Sequence, residues 1–299
     1  MIKSIKLLAL FAVCCVIVGF ILLPKETKMH MFVGEDTFSP NVTIRSVPNI
    51  KYGDDPRQML DIYMPYNADN CPVLFFVHGG GWSFGSRKEH GDIGCFYAKK
   101  GFVVVVVDHR LSPEVSHPKH VQDVAKALAW TEKNITNYGG SFHGVYLLGY
   151  SSGAHLVTLL ATNEKYLAKE GLRKTQIQGV IAVSGIYRLG SNISLAGFSS
   201  AFPYASNRLD ASPINFIKKD EERPGFLIIY AQNDIITLSS QAQDFYGALR
   251  KADIHADILC AKGHDHFSVL KDCVNPKGIS NAIIYFMGFG HYSEFHQFE

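Results

Sequence analysis

A succession of short, uninterrupted apolar runs constrains the fold of this chain more than any other feature. Residues 73–77 read Val-Leu-Phe-Phe-Val and end in glycines. Residues 102–107 read Phe followed by five valines and end at Asp108. Residues 145–148, 180–183 and 226–230 repeat the theme, and a more mixed run, residues 254–260, closes the series. Runs this short with no polar alternation suit strands buried on both faces of a parallel sheet. Helical periods lie between them. Val121, Val124, Ala127 and Leu128 form one apolar stripe, with Gln122, Asp123, Lys126 and Glu132 expected on the opposite, solvent side. Ala242, Phe245, Tyr246 and Leu249 form another. Strand, helix, strand, helix implies right-handed crossovers and an α/β fold with helices on both faces of a mostly parallel central sheet. Residues 42–47 and 59–63 are rich in β-formers and read as a leading hairpin pair. Residues 189–217 interrupt the rhythm with Ser, Gly, Asn and Pro among aromatics. They read as a small cap insertion lying over one edge, which either lines an acyl or alcohol pocket or serves plain packing. At 47% hydrophobic and 19% charged, the 299 residues can build one large core. Lys and Arg number 29 against 27 Asp and Glu, so there is no basic field and nucleic acid is not expected as a partner.

The first 28 residues stand apart. Residues 7–23 carry no charge, with Lys3 and Lys6 before them and Lys25 and Lys28 after. The run is longer than a usual secretory core of about 7–15 residues and shorter than a typical span of about 20. No small-residue cleavage pattern follows it. The expectation is an uncleaved signal anchor, with a cleaved signal peptide as the alternative. The membrane is thus an expected partner through this segment, and residues 40–299 form the expected catalytic domain. The positive-inside rule and three sequons, at Asn41, Asn134 and Asn192, favour a lumenal or extracellular, glycosylated catalytic part. Cys14 and Cys15 lie inside the apolar run. Cys71, Cys95, Cys260 and Cys273 read equally well as bridges, such as Cys260 with Cys273, or as reduced thiols.

The chemistry concentrates at strand ends. Gly149-Tyr150-Ser151-Ser152-Gly153 follows an apolar strand and precedes an apolar helix, the context that the G-x-S-x-G turn requires. The glycine spacing selects Ser151 over Ser152 as nucleophile. His78-Gly79-Gly80-Gly81-Trp82 ends another buried strand. Bare backbone there can aim N–H groups at a developing oxyanion, with Gly80, Gly81 and Ser152 as the expected donors. Gly80 to Gly85 has phosphate-loop spacing, but Ser86-Arg87 stands where Lys-Ser/Thr belongs, so that reading fails. In this topology the order after the serine is acid, then histidine. Asp234 lies just past the strand at residues 226–230, where catalytic groups gather in open sheets. The base lies in Gly263-His264-Asp265-His266-Phe267, with His266 preferred and His264 the alternative. His109, His117, His120 and His143 are expected to be unremarkable. No metal site and no organic cofactor are expected.

These motifs give the chain a resemblance to the α/β-hydrolases of the hormone-sensitive-lipase-like and kynurenine-formamidase-like branches, over roughly residues 52–286. His78 to Trp82 resembles the H-G-G-x-W oxyanion motif. Ser151-Ser-Gly-Ala-His-Leu156 resembles the S-x-G-A-H-L after a formamidase nucleophile, and Asp265-His266-Phe267 its D-H-F. Asp108 to Glu114 resembles the esterase D-Y-R-L-A-P-E, a structural motif. The pentapeptide Gly-Tyr-Ser-Ser-Gly departs from the Gly-Asp-Ser-Ala-Gly of lipase-like esterases. The resemblance implies a serine hydrolase acting on small carboxylic esters through Ser151, Asp234 and His266. An arylformamidase and a catalytically silent hydrolase-fold binding or adhesion protein are the alternatives.

Overall fold

A computed structural model describes residues 42–190, 198–219, 224–235 and 238–289. The chain divides between Thr37 and Phe38, and every described residue belongs to the second unit. The apolar run at residues 7–23, Cys14, Cys15, Asn41 and Asn192 lie outside the described residues. Among the described residues no helix is long and apolar enough to cross a membrane.

Eight strands form one sheet: β1 (Ile44–Lys51), β2 (Met59–Pro65), β3 (Cys71–Val77), β4 (Val103–Val107), β5 (Gly140–Tyr150), β6 (Ile177–Val183), β7 (Gly225–Asn233) and β8 (Ala256–Asp265). Their spatial order is β1-β2-β4-β3-β5-β6-β7-β8. β1 and β2 pair antiparallel, as do β2 and β4, and every later pairing is parallel. The mostly parallel α/β sheet with a leading hairpin is the architecture that the apolar runs predict.

The period of two along β3 shows why these runs carry no polar residues. Val73, Phe75 and Val77 join one core cluster, and Leu74 and Phe76 join the other. Each face therefore needs apolar side chains. Helices α1 (Gly91–Lys99), α8 (Ser268–Asp272) and α9 (Ser280–Phe289) cover the second cluster, through residues such as Tyr97, Val269 and Phe286. Helices α2 (Lys119–Asn134), α3 (Ser152–Thr162) and α7 (Leu238–Lys251) cover the first, through residues such as Val124, Leu156 and Phe245. Short helices α4 (Lys165–Lys169), α5 (Phe198–Ala201) and α6 (Ala205–Asp210) complete the described set.

Two expectations need correction. Asp123 is buried, not on the solvent side of α2. It accepts hydrogen bonds from the Arg110 backbone and guanidinium and from Gln58 Nε2. A helix face that meets a half-buried guanidinium and a buried amide suits a carboxylate there, whatever the apolar period says. The described part of the insertion, residues 198–217, also does not lie over a lateral edge of the sheet. It connects β6 to β7, both inside the sheet, and packs inward. Ala201 O accepts from the His117 N–H, Ala211 O contacts His155 Nε2 at 2.7 Å, and Phe202 is fully buried.

All four described cysteines are free thiols, so no bridge joins Cys260 to Cys273. Asn134 ends α2 with its side-chain amide donating to Trp130 O at 2.7 Å.

Candidate active site

Ser151 stands between β5 and α3 with φ 53° and ψ −118°. That is a costly conformation for a residue with a side chain, on the order of 1–3 kcal/mol, and surrounding structure must impose it. Two contacts do so. The Ser151 N–H donates to Val183 O at 2.8 Å, and Ser151 O accepts from the His155 N–H at 3.1 Å. The strand and helix can meet this sharply because position 153 is bare. A Cβ on Gly153 would stand 2.2 Å from Val77 O. The turn therefore sits directly on the end of β3, which leads into the glycine loop. Every residue of α3 is buried, and its two threonines return their hydroxyls to Ala154 O and Thr158 O.

Two side chains from elements far apart in sequence complete a line from Ser151. His266, just past β8, presents Nε2 to Ser151 Oγ at 3.0 Å. Its Nδ1 lies 2.6 Å from Asp234 Oδ1, just past β7. With Nδ1 donating to the carboxylate, Nε2 carries the lone pair that can accept the serine proton. The Asp234 side chain is fully buried and His266 nearly so. Burial alone pushes the Asp234 carboxyl up. Hydrogen bonds from His266 and Ser184 and the nearby imidazole outweigh it, and the carboxyl ends below its ordinary range. His264 goes elsewhere: its Nε2 lies 3.6 Å from Asp272 Oδ2. Side chains two apart on a strand would share a face, but β8 ends at Asp265 and the chain turns at His266, so the two rings part and His266 is the one facing the serine.

Ser184 was not among the residues that the sequence singled out. It follows β6 directly and donates its hydroxyl to Asp234 Oδ2 at 2.6 Å, while the N–H of Ala231 reaches the same oxygen at 3.2 Å and the N–H of Ile235 reaches Oδ1 at 2.9 Å. Its one sequence signal is its place at the carboxyl end of a buried strand.

The glycine loop is held from outside. His78 Nδ1 lies 2.6 Å from Gly79 O, and Gly80 O accepts from the N–H groups of Ser83 and Phe84 at 3.1 and 2.9 Å. A trans peptide points C=O and N–H in opposite directions. The Gly80 N–H therefore points away from His78, and the Gly81 N–H away from the following turn. Gly80 has φ 118°, a conformation that suits glycine, and a Cβ there would stand 2.2 Å from Phe84 O. Among the described residues, the N–H groups of Gly80, Gly81 and Ser152 donate to no protein acceptor.

Beneath the loop lies a packed polar layer. His78 stacks on His109 at 4.8 Å between centroids, and His109 meets His120 edge-on at 6.0 Å. Burial, then the neighbouring histidines, push His109 well down, so it is a neutral spacer. Asp108 takes the Arg87 backbone N–H at 2.7 Å and its guanidinium, which also binds Asp61 and Asn49. Arg87, which excluded a phosphate loop, is thus a buried structural cation. Trp82 Nε1 donates to His155 Nδ1 at 3.2 Å, joining the loop to α3. Among the described residues no group of three or more His, Cys, Asp or Glu is placed to hold a metal ion.

Comparison with known proteins agrees with this geometry. Esterase LipC of Mycobacterium tuberculosis is 30% identical over 267 residues, which cover 82% of this chain and 65% of that protein. The chain thus spans a little under two thirds of that relative's length. Kynurenine formamidase of Danio rerio is 26% identical over 246 residues, covering 80% of this chain and 81% of that protein. Among solved structures, esterase B from Lactobacillus Rhamnosis superposes with a TM-score of 0.71 at 21% identity, covering 84% of this chain and 86% of that one. At that identity the likeness speaks for the α/β-hydrolase fold alone. Residues 60–249 match the BD-FAE family, from β2 through the Ser151 turn and Asp234 to α7. That is more than half of the chain, and this protein belongs to the BD-FAE family.

Proposed function

We propose that the protein is a serine hydrolase that cleaves small carboxylic esters through an acyl-enzyme. Ser151 Oγ attacks the ester carbonyl as His266 Nε2 takes its proton. Asp234 holds the imidazole with Nδ1–H facing the carboxylate and stabilises the imidazolium that forms. The N–H groups of Gly80, Gly81 and Ser152 receive the oxyanion. His266 then returns the proton to the leaving alkoxide. In the second half it activates the water that hydrolyses the acyl-enzyme. The observation that carries this reading is the continuous hydrogen-bonded line from Ser151 Oγ through His266 to Asp234, at 3.0 and 2.6 Å. Esterase relatives support the ester as substrate. No metal or organic cofactor has a role in these steps. Ser151→Ala should abolish turnover of a short p-nitrophenyl ester and labelling by a fluorophosphonate. An alanine variant as active as the parent would overturn the reading.

A second reading, an arylformamidase, is favoured by the near full-length likeness to kynurenine formamidase. The same residues would serve. Comparing kcat/KM for N-formylkynurenine and for a p-nitrophenyl ester separates the two.

We also propose that residues 7–23 act as a signal anchor and that the catalytic part is lumenal or extracellular and glycosylated. The support is the uncharged run, its flanking lysines and the sequons. The 189–217 insertion is proposed to wall the substrate pocket, because its Phe202 packs edge-on against Trp82 of the glycine loop, at 4.9 Å. Protease protection on intact membranes tests the topology, and cleavage from the cytosolic side would reverse it.

A further inference from the structure

We propose that Tyr150, the residue immediately before Ser151, is a positioning residue that fixes the backbone of His266. The inference rests on the hydrolase reading of Ser151, Asp234 and His266.

The Tyr150 hydroxyl donates to the backbone carbonyl of His266 at 2.6 Å, across 116 residues of sequence. The rings are 5.3 Å apart between centroids, tilted by 35°. The backbone of His266 needs such an anchor because the chain leaves the sheet just before it, at Asp265, the last residue of β8 and paired with Asn233 of β7. Asp265 Oδ1 accepts from the N–H groups of Phe267 and Ser268 at 3.0 and 2.7 Å, and Asp265 N–H donates to Ser268 Oγ at 2.9 Å. These bonds shape the turn but do not bind it to the sheet. The residues on either side face solvent, Phe267 with 75% of its surface exposed, while His266 is drawn inward to 6%. Asp234 holds the far end of this side chain, at Nδ1. Tyr150 holds the backbone from which the side chain hangs. With both ends fixed, Nε2 can be kept at hydrogen-bond distance from Ser151 Oγ.

Tyr150 suits this task by its place in the chain. It ends β5, one residue from the nucleophile, so the base is referenced to the strand that carries the serine. Its ring is 8% exposed and also abuts the glycine loop. A Cβ on Gly79 would stand 2.7 Å from Tyr150 Cδ1 and 3.1 Å from Ser151 Cβ. One side chain thus touches the loop, adjoins the nucleophile and bonds to the base. Burial, and then the nearby Asp234 charge, push the phenol up, so it remains a protonated donor throughout the working pH range. The tyrosine is one of the two residues by which Gly-Tyr-Ser-Ser-Gly departs from the lipase-like pentapeptide, and this bond gives that departure a role.

Tyr150→Phe keeps the ring and removes the donor. With a p-nitrophenyl ester, kcat should fall about five- to tenfold, because a small displacement of the base slows proton transfer. KM should stay within about twofold, since nothing that binds substrate is removed. The fluorophosphonate labelling rate should fall in step with kcat. A purely structural role would lower the melting temperature without this split. A Tyr150→Phe variant with unchanged kcat and labelling rate would overturn the proposal. If the variant does not fold, p-aminophenylalanine at position 150, which restores a donor, is compared with p-fluorophenylalanine, which does not. Equal kcat for the two overturns it as well. Ser151→Ala, assayed in parallel, keeps the outcomes apart: retained activity there would fail the hydrolase reading and not the Tyr150 bond.

Discussion

Ser184 Oγ donates to Asp234 Oδ2 at 2.6 Å, on the oxygen that His266 does not use. The acid of the triad is therefore oriented by its own neighbour strand. β6 lies beside β7, with Val183 opposite Ile229, and Ser184, the next residue after β6, reaches Asp234 beyond the end of the longer β7. Ser184→Ala removes one of the hydrogen bonds that lower the Asp234 carboxyl, and leaves a buried oxygen with the weaker Ala231 N–H. The carboxylate should be less well held and kcat should fall roughly three- to tenfold, in line with about 1 kcal/mol for one such bond. Steady-state kinetics on a short ester measure it, and Ser184→Thr should recover most of the loss. An alanine variant with parental kcat would show that Asp234 needs no second donor.

Acid should unfold this protein through the layer beneath the glycine loop. Burial opposes ionisation of Asp108, but His78, the Arg87 N–H and the Arg57 charge prevail and bring its carboxyl from 3.8 to about 2. A carboxyl depressed by folding contributes stability that is fully present above its ordinary value. That contribution fades as pH falls from about 4 towards 2. Its size is on the order of 2 kcal/mol. Asp234 is shifted in the same direction and adds to the effect. Urea unfolding followed from pH 6 to pH 2 should show this loss. Asp108→Asn should cost about 2–4 kcal/mol at neutral pH, since the buried Arg87 keeps only Asp61 as a carboxylate partner, and should flatten the acid slope. Parallel acid slopes for the two proteins would exclude Asp108 as the group responsible.

His155 carries a bond on each ring nitrogen. Nδ1 accepts from Trp82 Nε1–H, and Nε2–H donates to Ala211 O. Both bonds require the neutral ring, and burial pushes its pKa down to about 3. The residue therefore ties the glycine loop to the insertion through α3. His155→Leu removes both bonds from a buried site and should cost about 2–4 kcal/mol. His155→Gln, with one donor and one acceptor, should cost less. Thermal melts rank the two, and a leucine variant as stable as glutamine would discount the bonds in favour of packing alone.

What the sequence made legible was local. The glycine spacing around Ser151, the glycines after residue 77 and the apolar runs are each readable within a few residues, because a sharp turn or a doubly buried strand imposes its demands on adjacent positions. Asp123 was not legible. Its partners Gln58 and Arg110 lie on other parts of the chain, and the helical period of α2 assigns it to solvent. Ser184 and Tyr150 have the same cause. Each becomes functional only when a neighbouring strand end arrives beside it. The choice between His264 and His266 lay between these cases. Alternation along an extended strand would put both on one face, and only the turn after Asp265 and the position of Asp234 say which one reaches the serine. The four free thiols were likewise undecided until the chain was folded.

The close approach of α3 to β3 gives the most severe single change. Gly153 packs against the end of β3, where an added Cβ would lie 2.2 Å from Val77 O and 2.4 Å from His78 O. Both are backbone atoms, in a strand paired on both sides with β4 and β5, so neither can yield cheaply. Relief would have to come from the helix, which would lift Ser151 off the line to His266. Gly153→Ala should therefore cost more than about 3 kcal/mol by overpacking, or prevent folding. Any folded fraction should lose fluorophosphonate labelling by more than about tenfold, since a displaced nucleophile forfeits its base. Gly171→Ala is the control, because φ there is 77° but no atom lies within 4 Å of the added carbon. It should cost only the backbone strain of about 1–2 kcal/mol and leave labelling unchanged. Gly153 has no positive φ, so equal losses in the two variants would mean that the contact with β3 costs no more than the strain at an open position.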